Sequence, residues 1–493
     1  MSNTPTSAWA GRSRAQRFAY SELEVDRRRG ELRCHYRLDR QVFVERVGFD
    51  GVDPKAWELP GVEAAARWVF LLLGLSYYKA GAPPLVDLGG IALAEPDVEV
   101  LRQCYIDGLG EFAYRNGIDL CGLEIRASSA TMSPSPTTGS ATMPPSATTG
   151  SAPTATAGPA PTARADRAPS SVGELRALVP FGGGIDSIVT TELLRERLGG
   201  GGGDVGEEIA LFVVSKAGDR YAAIEAPAAV TGLPILRAER ELDGRILQSR
   251  QLGYLNGHVP VTGMISAIAV LAALLHGRDA VVMSNEASAS AGNDVFVGDR
   301  VVNHQWSKGV AFETAFRGAL ARSCVPVEYF SLLRSASELW VARHFASLTR
   351  YHAVFRSCNR AFYVNPALRL DHWCGECDKC CFVDLMLAPF MDRPRLGEIF
   401  DGREPLANDS LAERFRALLA ISSAPKPFDC VGDPAECRAA LRLTARRGDR
   451  RDNALMHRLL AELPDEPATL SRLLHLSGQH FIPDAYAPGD LLV

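Results

Sequence analysis

The chain has 493 residues, a net charge of −5, a hydrophobic fraction of 46% and a charged fraction of 23%. These values indicate a folded body of enzyme size and exclude a disulfide-stapled miniprotein. The acidic balance argues against a broad nucleic-acid-binding surface. No apolar run reaches the roughly 18 residues of a membrane span, and the start of the chain lacks an apolar signal core. We therefore expect a cytoplasmic protein without a nucleic-acid or membrane partner, and the sequence leaves the oligomeric state open.

Residues 1–126 show the pattern of an α+β N-terminal domain. Short β-type runs at 32–36 and 41–47 predict a strand meander. A strongly apolar stretch follows at 62–75, and residues 98–116 predict one helix.

Residues 127–172 consist almost wholly of Ala, Ser, Thr, Pro and Gly and contain an imperfect tandem repeat of an eleven-residue unit. Such a tract cannot bury enough apolar surface to offset its chain entropy. We expect a disordered linker, with a partner-binding segment as the alternative.

Residues 173–400 alternate between strand and helix patterns. Strands are predicted near 175–181, 208–214, 234–237 and 280–283, and helices near 187–198, 221–230 and 261–276. Such spacing requires crossover connections, so it predicts an α/β fold with a doubly wound parallel sheet. Ligands then bind beyond the carboxyl ends of the strands. Residues 325–352 are predicted to be helical, and 401–493 form a predicted helical C-terminal region.

A glycine turn joins the first predicted strand of this region to its helix, within residues 178–187. Glycines let the backbone approach an anion closely, and a helix N-terminus adds partial positive charge. The stretch matches neither Walker A nor the dinucleotide-binding fingerprint. The plainer alternative is a turn whose Asp or Ser only caps the helix. The candidate anion-binding residues are Gly182, Gly183, Gly184, Asp186 and Ser187.

This stretch resembles the Ser-Gly-Gly-x-Asp-Ser loop of the PP-loop ATP pyrophosphatases, which split ATP into AMP and pyrophosphate while adenylating a substrate. Gly182 stands where that family usually has Ser, so one hydroxyl contact to pyrophosphate is in doubt. The resemblance implies a PP-loop (HUP-like) fold, with ATP and Mg²⁺ as cofactors. It also implies a nucleotide contact at Lys216, one of only six lysines, although a solvated lysine is the alternative.

A second motif is rich in cysteine, a residue that occurs eleven times in the chain. Four thiolates at its spacing suit a tetrahedral zinc. An iron–sulfur cluster and metal-free thiols stay open, and Cys381 complicates the choice of ligands. A closed four-cysteine zinc site is structural rather than catalytic. The candidate ligands are Cys358, Cys374, Cys377 and Cys380.

Four stretches together resemble a narrower family, the ATP-dependent UDP-N-acetylmuramoyl-L-alanyl-L-glutamate epimerases (MurL family) of some peptidoglycan pathways. They are 257–262 (GHVPVT), 284–293 (SNEASASAGN), 303–308 (NHQWSK) and 372–380 (HWCGECDKC). The resemblance implies inversion of the terminal L-Glu of the UDP-muramoyl dipeptide to D-Glu through an acyl adenylate. Adenylation neutralises the carboxylate and makes the neighbouring Cα–H more acidic, so a nucleotide-activating loop suits this chemistry.

Polar residues in these stretches are hypotheses for the catalytic groups. Asn285 and Glu286 follow the predicted strand 280–283, at the edge where a parallel sheet binds ligands. His304 and Lys308 share one face if their stretch is helical. For these four residues an ordinary polar surface is the alternative. His258 could contact the substrate, but it is equally well explained as a structural histidine. Three arginines could bind the substrate carboxylates and diphosphate, namely Arg334, Arg356 and Arg360. The sequence assigns no proton acceptor.

Two other functions stay open. One is another PP-loop adenylating enzyme, such as a 7-cyano-7-deazaguanine-type synthase, in which a similar cysteine spacing occurs. The other is a nucleotide sensor that binds ATP or AMP without turnover. Stoichiometric formation of AMP and pyrophosphate separates these classes.

Overall fold

The structure is a computed structural model that describes residues 15–129, 175–199, 205–422, 425–464, 473–476 and 478–487. The predicted linker lies outside the described residues except for its first three, 127–129, which end a strand. No helix among the described residues is both long and apolar enough to cross a bilayer.

Twelve strands are present in the described part of the chain. In chain order they are β1 (Arg17–Asp26), β2 (Glu31–Leu38), β3 (Gln41–Phe49), β4 (Leu85–Leu93), β5 (Glu124–Ser129), β6 (Ala177–Pro180), β7 (Ile209–Ser215), β8 (Ile235–Glu241), β9 (Ala280–Met283), β10 (Phe296–Val297), β11 (Arg300–Val301) and β12 (Glu328–Ser331).

Ten of these strands form one continuous sheet in the order β12-β9-β6-β7-β8-β3-β2-β1-β4-β5. Its pairings are mostly parallel, and the antiparallel ones are β1-β2, β2-β3 and β3-β8. The predicted N-terminal meander is confirmed. The β3-β8 pairing also joins the regions predicted as separate N-terminal and central domains into one sheet.

The helices cover both faces of this sheet. They are α1 (Val62–Leu73), α2 (Leu75–Tyr78), α3 (Glu95–Ile106), α4 (Gly110–Asn116), α5 (Ile185–Leu198), α6 (Val205–Glu208), α7 (Ala222–Thr231), α8 (Gly244–Leu247), α9 (Ser249–Leu252), α10 (Val261–Leu275), α11 (Val310–Arg322), α12 (Glu338–Ser347), α13 (Asp378–Leu387), α14 (Arg393–Ile399), α15 (Ala412–Leu418), α16 (Pro434–Ala445) and α17 (Ala454–Ala461). The helical character predicted for the C-terminal region is confirmed for α15 to α17.

Two hydrophobic cores lie on opposite faces of the sheet, as alternation along the strands requires. Leu178 of β6 and Val281 of β9 point into a core that includes α1 and α10. Val179 and Val282, their chain neighbours, point into a core that includes α5, α12 and α13. Burial on both faces explains why these central strands are uniformly apolar.

Two predictions of secondary structure are wrong in detail. The single helix at 98–116 is two helices, α3 and α4, separated by a turn at Gly108, where a Cβ would lie 2.4 Å from the Cys104 carbonyl oxygen. The helix at 325–352 is a strand, β12, followed by α12. The backbone hydrogen bonds of β12 come from its parallel pairing with β9. The sequence does not show this pairing, because a short apolar run fits a strand and a buried helix equally well.

Candidate active site

A cavity of about 430 Å³ opens beyond the carboxyl ends of β6, β7 and β9. Phe181, Val214 and Ser284, which follow or end these strands, line it. The expectation that the site lies at this edge of the sheet is therefore supported by the position of the cavity. A wider cavity of about 1040 Å³ lies between β1, β4 and α1, and none of the predicted site residues line it.

The glycine loop, residues 182–187, forms one wall of the cleft. Gly183 has φ +74°, and a Cβ there would lie 2.2 Å from the carbonyl oxygen of Ala223, so this position requires glycine. A Cβ on Gly184 would lie 3.0 Å from Ser357 Oγ, whereas one on Gly182 would meet nothing within 4 Å. The backbone between β6 and α5 is thus held close against its neighbours.

The N-terminus of α5 lies at this cleft, since the residues from Gly184 to Ser187 line it. Gly184 is the N-cap and makes no side-chain capping bond, so neither Asp186 nor Ser187 acts as the helix cap. Ser187 Oγ donates instead to the carbonyl oxygen of Gly184 at 3.0 Å. The free amide groups and the helix dipole make this end of α5 attractive to an anion.

Asp186 is surrounded by charges of both signs. Burial and the neighbouring Glu286 raise the pKa of Asp186 to about 6, while Lys379 and Lys308 act in the opposite direction. Lys308 and Lys379 both line the cleft. Lys216 does not line it and is exposed, so its nucleotide contact stays a prediction. Sequence reasoning missed Lys379, although it lies inside the cysteine motif.

The segment after β9 contributes buried polar groups. Asn285 lines the cleft, and its Nδ2 donates to Ser331 Oγ at 3.1 Å. Glu286 is 1% exposed and accepts a hydrogen bond from Ser288 Oγ at 3.3 Å. The Ser284 hydroxyl is buried without a hydrogen-bond partner among the described residues. An orphaned hydroxyl at this edge is available to a bound ligand.

The three arginines predicted to bind substrate differ in position. Arg334 is 3% exposed, pairs with Glu313, and donates to the carbonyl oxygens of Glu286 (2.9 Å) and Lys308 (2.6 Å). Its donors are already used within the protein, so the prediction of a substrate contact is wrong for Arg334, which instead ties the segment that contains Glu286 to the one that contains Lys308. Arg356 lines the cleft, whereas the partner of Arg360 is Glu376 at 3.4 Å.

Two further residues that line the cleft, Lys308 and Cys430, belong to a group of side chains that we call the thiol cluster: Cys430, His304, Glu111 and Lys308. Lys308 Nζ lies 3.5 Å from Cys430 Sγ, and His304 lies close enough to this thiol for each group to shift the pKa of the other. His304 Nδ1 lies 2.5 Å from Glu111 Oε2. Only residues Trp306–Lys308 form a short 3-10 turn, so His304 and Lys308 do not share a helix face, yet both reach Cys430.

Charged groups within the thiol cluster stabilise one another and so shift each other's pKa values. Burial disfavours the Cys430 thiolate, but Lys308, His304 and Lys379 lower its pKa to about 7. Burial also disfavours the His304 cation, but hydrogen bonds with Cys430 and Glu111 raise its pKa to about 9. At neutral pH the cluster therefore holds an imidazolium beside a thiol that is substantially ionised.

His258 packs against His304, but its pKa is shifted in the opposite direction. Its ring centroid lies 4.2 Å from that of His304. Burial and the neighbouring His304 lower its pKa to about 4, so His258 is neutral at physiological pH. It acts as a packing partner for His304 rather than as a second cation.

The sequence analysis did not identify Glu111 or Cys430. Glu111 lies in α4 and has no local feature that separates it from other glutamates. Cys430 lies far outside the cysteine motif, in a region predicted only as helical. No local sequence signal identifies either residue, because their roles depend on contacts with distant segments.

The four cysteines predicted as metal ligands lie together. The sulfur atoms of Cys358, Cys374, Cys377 and Cys380 are all within 4.8 Å of one another. Cys380 Sγ lies 3.6 Å from Cys374 Sγ and 3.5 Å from Cys377 Sγ. A tetrahedral zinc with Zn–S bonds of about 2.3 Å needs sulfur atoms roughly 3.8 Å apart, so the arrangement fits. Cys381 is buried outside this group.

Comparison with known proteins identifies two matching families and several relatives. The chain matches the MurL N-terminal domain over residues 10–332 and the MurL C-terminal domain over residues 354–473. Three similar proteins carry the name UDP-N-acetyl-alpha-D-muramoyl-L-alanyl-L-glutamate epimerase. They come from Xanthomonas oryzae pv. oryzae (38% identity, 95% of both chains), Micromonospora sp. (35% identity, 96% of this chain and 97% of the relative) and Salinispora tropica (36% identity, 85% and 81%).

Proposed function

The chain belongs to the MurL family, and from that membership we propose that it inverts the terminal L-Glu of UDP-N-acetylmuramoyl-L-alanyl-L-glutamate to D-Glu at the expense of ATP. The reaction supplies a peptidoglycan precursor. The observation that carries the proposal is the cleft itself, which is lined both by the glycine loop at the N-terminus of α5 and by Lys308 and Cys430 of the thiol cluster.

ATP is the proposed co-substrate, and the glycine loop is its proposed site, as in a PP-loop enzyme. The strand–loop–helix unit of β6 and α5 supports this, because its loop lies at the N-terminus of a helix and lines the cleft at the carboxyl end of the strand, where phosphates are commonly bound. Lys308 and Lys379 supply positive charge in the same cleft. The unpartnered Ser284 hydroxyl offers a further donor.

Mg²⁺ is the proposed metal, held with the phosphates. The Asp186 and Glu338 carboxyl groups both line the cleft beside the glycine loop. Carboxylate oxygens are ligands that Mg²⁺ accepts together with substrate phosphates. The ion would neutralise phosphate charge while Asp186 orients it.

Activation of the carboxylate explains why an epimerase consumes ATP. A free carboxylate protects its own α-hydrogen, because removal of that proton would create a dianion. Attack of the carboxylate oxygen on the α-phosphorus releases pyrophosphate and leaves an uncharged acyl group. The α-proton then leaves, a proton returns on the opposite face, and water releases AMP and the D-Glu product.

Zinc is proposed for the four-cysteine cluster, with a structural role. The thiols occupy all four positions of a tetrahedron, which leaves no position for a substrate. Lys379 lies between two of the ligands, and Asn359 follows a third, and both residues line the cleft. The cluster thus fixes one wall of the active site.

The test combines purified protein with ATP, Mg²⁺ and UDP-N-acetylmuramoyl-L-alanyl-L-glutamate. AMP and the configuration of the terminal glutamate, released by acid hydrolysis, are then measured. We expect D-Glu only when ATP is present, with AMP formed in proportion. Folded protein that binds ATP but forms no D-Glu would reject the proposal and direct attention to another adenylating reaction.

A further inference from the structure

We propose that Cys430 is the catalytic base that removes the α-proton of the activated glutamate. This assignment rests on the proposed epimerase function and adds the group that the sequence left unassigned. Its starting point is the location of the Cys430 side chain in the same cleft as Gly182, Gly184 and Asp186.

The other ionisable groups that line the cleft are poorly suited to accept this proton. Lys308 Nζ lies 3.5 Å from Cys430 Sγ, and Lys379 Nζ donates to the carbonyl oxygen of Cys430, so both ammonium groups are placed to stabilise a thiolate rather than to accept a proton. Glu338 lines the cleft together with Asp186 and is proposed, like it, to hold Mg²⁺. Asp186 lies in the glycine loop, where the phosphates are proposed to bind. Asp429 also lines the cleft, but its carboxylate oxygens accept hydrogen bonds from the backbone N–H of Cys430 and from Asn359 Nδ2, both at 2.7 Å. Cys430, whose Sγ lies 3.5 Å from Lys308 Nζ, is the side chain left to take up the proton.

The backbone around Cys430 is held by many contacts. Asn293 Nδ2 donates to the carbonyl oxygen of Pro427 at 3.0 Å, and Gln305 Nε2 donates to that of Val431 at 3.2 Å. Lys379 Nζ donates to the carbonyl oxygen of Cys430 itself. These bonds come from separate segments of the chain and fix the 427–431 loop at both ends.

Side chains of the same loop are also anchored. Asn359 Nδ2 donates to Asp429 Oδ2 at 2.7 Å. The ring of Phe428 lies 5.6 Å from that of Tyr114 and 4.8 Å from the Arg115 guanidinium. Together with the backbone bonds, these contacts fix the position of the thiol in the cleft.

Three groups lie in series beside the cleft: the Glu111 carboxylate, the His304 imidazole and the Cys430 thiol. Glu111 Oε2 accepts from His304 Nδ1 at 2.5 Å, and the electrostatic interaction of His304 with Cys430 favours the thiolate. The backbone N–H of His304 donates to Asn293 Oδ1 at 2.7 Å, which fixes the residue from behind. This is the nucleophile–base–orienter arrangement that activates thiols in enzymes. Glu111 lies in α4, His304 in the segment after β11, and Cys430 in the region that matches the MurL C-terminal domain.

The proposed step balances as follows. The Cα–H bond breaks and an S–H bond forms on Cys430, while the electron pair of Cα delocalises into the acyl carbonyl as an enolate. Water supplies a proton to the opposite face of Cα, and the hydroxide that remains attacks the acyl carbon, so that the C–O bond to the phosphate breaks and AMP leaves as the D-Glu carboxyl group forms. The thiol then releases its proton to solvent, which restores the thiolate beside His304 and Lys308.

The experiment compares wild-type protein with Cys430→Ser and Cys430→Ala, using Cys324→Ala as the control for loss of a thiol elsewhere. Cys324 is exposed and lies outside the cleft. Each protein is incubated with ATP, Mg²⁺ and the UDP-muramoyl dipeptide in D₂O. Exchange of labelled pyrophosphate into ATP reports adenylation, and mass spectrometry reports deuterium at Cα.

We expect both Cys430 variants to keep pyrophosphate exchange while deuterium incorporation falls by at least about 10²-fold, the usual contribution of a positioned base. Cys324→Ala should match wild type in both assays. Retained pyrophosphate exchange also shows that the variants are folded.

Three results would overturn the assignment. Deuterium incorporation at the wild-type rate in Cys430→Ala would show that another group removes the proton. Loss of pyrophosphate exchange in both variants would place Cys430 in activation instead. An acyl group covalently attached to Cys430 in acid-quenched wild-type protein would make it a nucleophile. Wild-type protein that forms no D-Glu would reject the proposed function itself, whereas the first three results leave that function intact.

Discussion

The glycine loop and the thiol cluster face one cleft, but the chain builds them over very different distances. The loop comes from six consecutive residues and acts through its backbone. In the cluster, Glu111 and His304 are 193 positions apart, and Lys308 and Cys430 are 122 positions apart. The loop therefore depends on local conformation, whereas the cluster depends on correct assembly of the whole chain and on mutual stabilisation of charges.

The largest effect is expected where the loop loses its conformation. Gly183→Ala places a Cβ 2.2 Å from the Ala223 carbonyl oxygen at a positive φ. Displacing several anion-binding amides at once should lower ATP-dependent epimerisation by at least about 10³-fold. Steady-state AMP formation measures this loss.

Gly232→Ala is the matched control for that experiment. Gly232 has φ +68° but open space around its Cβ, at the C-terminal end of α7. We expect it to lose roughly 1 kcal/mol of stability through backbone strain and to keep its activity. Equal loss of activity in the two variants would contradict the role given to the loop.

The thiol cluster is tested by removing a charge at constant shape. Glu111→Gln weakens the hydrogen bond that keeps His304 protonated, so we expect activity to fall by about 10²-fold. In wild-type protein the rate should rise with pH through about 7, where Cys430 ionises, and fall through about 9, where His304 loses its proton. The variant should lose activity at a lower pH on the alkaline side. A pH–rate profile measures both limbs.

The control for this charge removal is Asp97→Asn. Asp97 is 6% exposed and pairs with Arg322 at 2.6 Å, away from the cleft. It should destabilise the protein without moving either limb of the profile. An unchanged alkaline limb in Glu111→Gln would show that Glu111 does not set the charge of His304.

A smaller effect is expected behind the cleft, at the four-cysteine cluster. Cys377→Ser removes one zinc ligand, so the protein should lose its metal, about 2–4 kcal/mol of stability and roughly tenfold in activity through displacement of Lys379. Metal analysis and thermal unfolding measure the change. Cys381→Ser alters a neighbouring buried thiol outside the cluster and should keep the zinc. Equal metal content in the two variants would exclude zinc binding by these four thiols.

The smallest effect is expected at the first glycine of the loop. A Cβ at Gly182 meets no atom within 4 Å, so Gly182→Ser should fit without loss of stability. The added hydroxyl can donate to phosphate, and one such bond is worth about 1 kcal/mol, or roughly a fivefold lower KM for ATP. A large loss of activity would show that the loop needs glycine there for another reason.

Local patterns in the sequence predict much of the fold. The strand 280–283 is observed as Ala280–Met283, and the helix 187–198 as Ile185–Leu198. The glycine loop is recognisable because every residue that forms it is adjacent. The strand β12 was missed because its identity depends on pairing with β9, which four residues of its own sequence do not show.

The candidate site was predicted only in part for the same physical reason. His304 and Lys308 stand out as polar residues in a motif, but their common partner, Cys430, is supplied by another domain. Arg334 has the chemistry of a substrate-binding residue, yet burial commits it to Glu313. A residue's type limits what it can do, and only its neighbours determine which of those roles it performs.

The direction of the strands has a consequence for the long connection between β5 and β6. β5 ends and β6 begins at the end of the sheet opposite the cleft, seven strand intervals apart, or about 34 Å. An extended chain covers roughly 3.3 Å per residue, so about ten residues would bridge that distance. The connection through residues 130–174 is much longer than this. Its length is therefore free to vary without affecting catalysis, and a fused reporter or affinity module inserted there would leave the entrance for substrate clear.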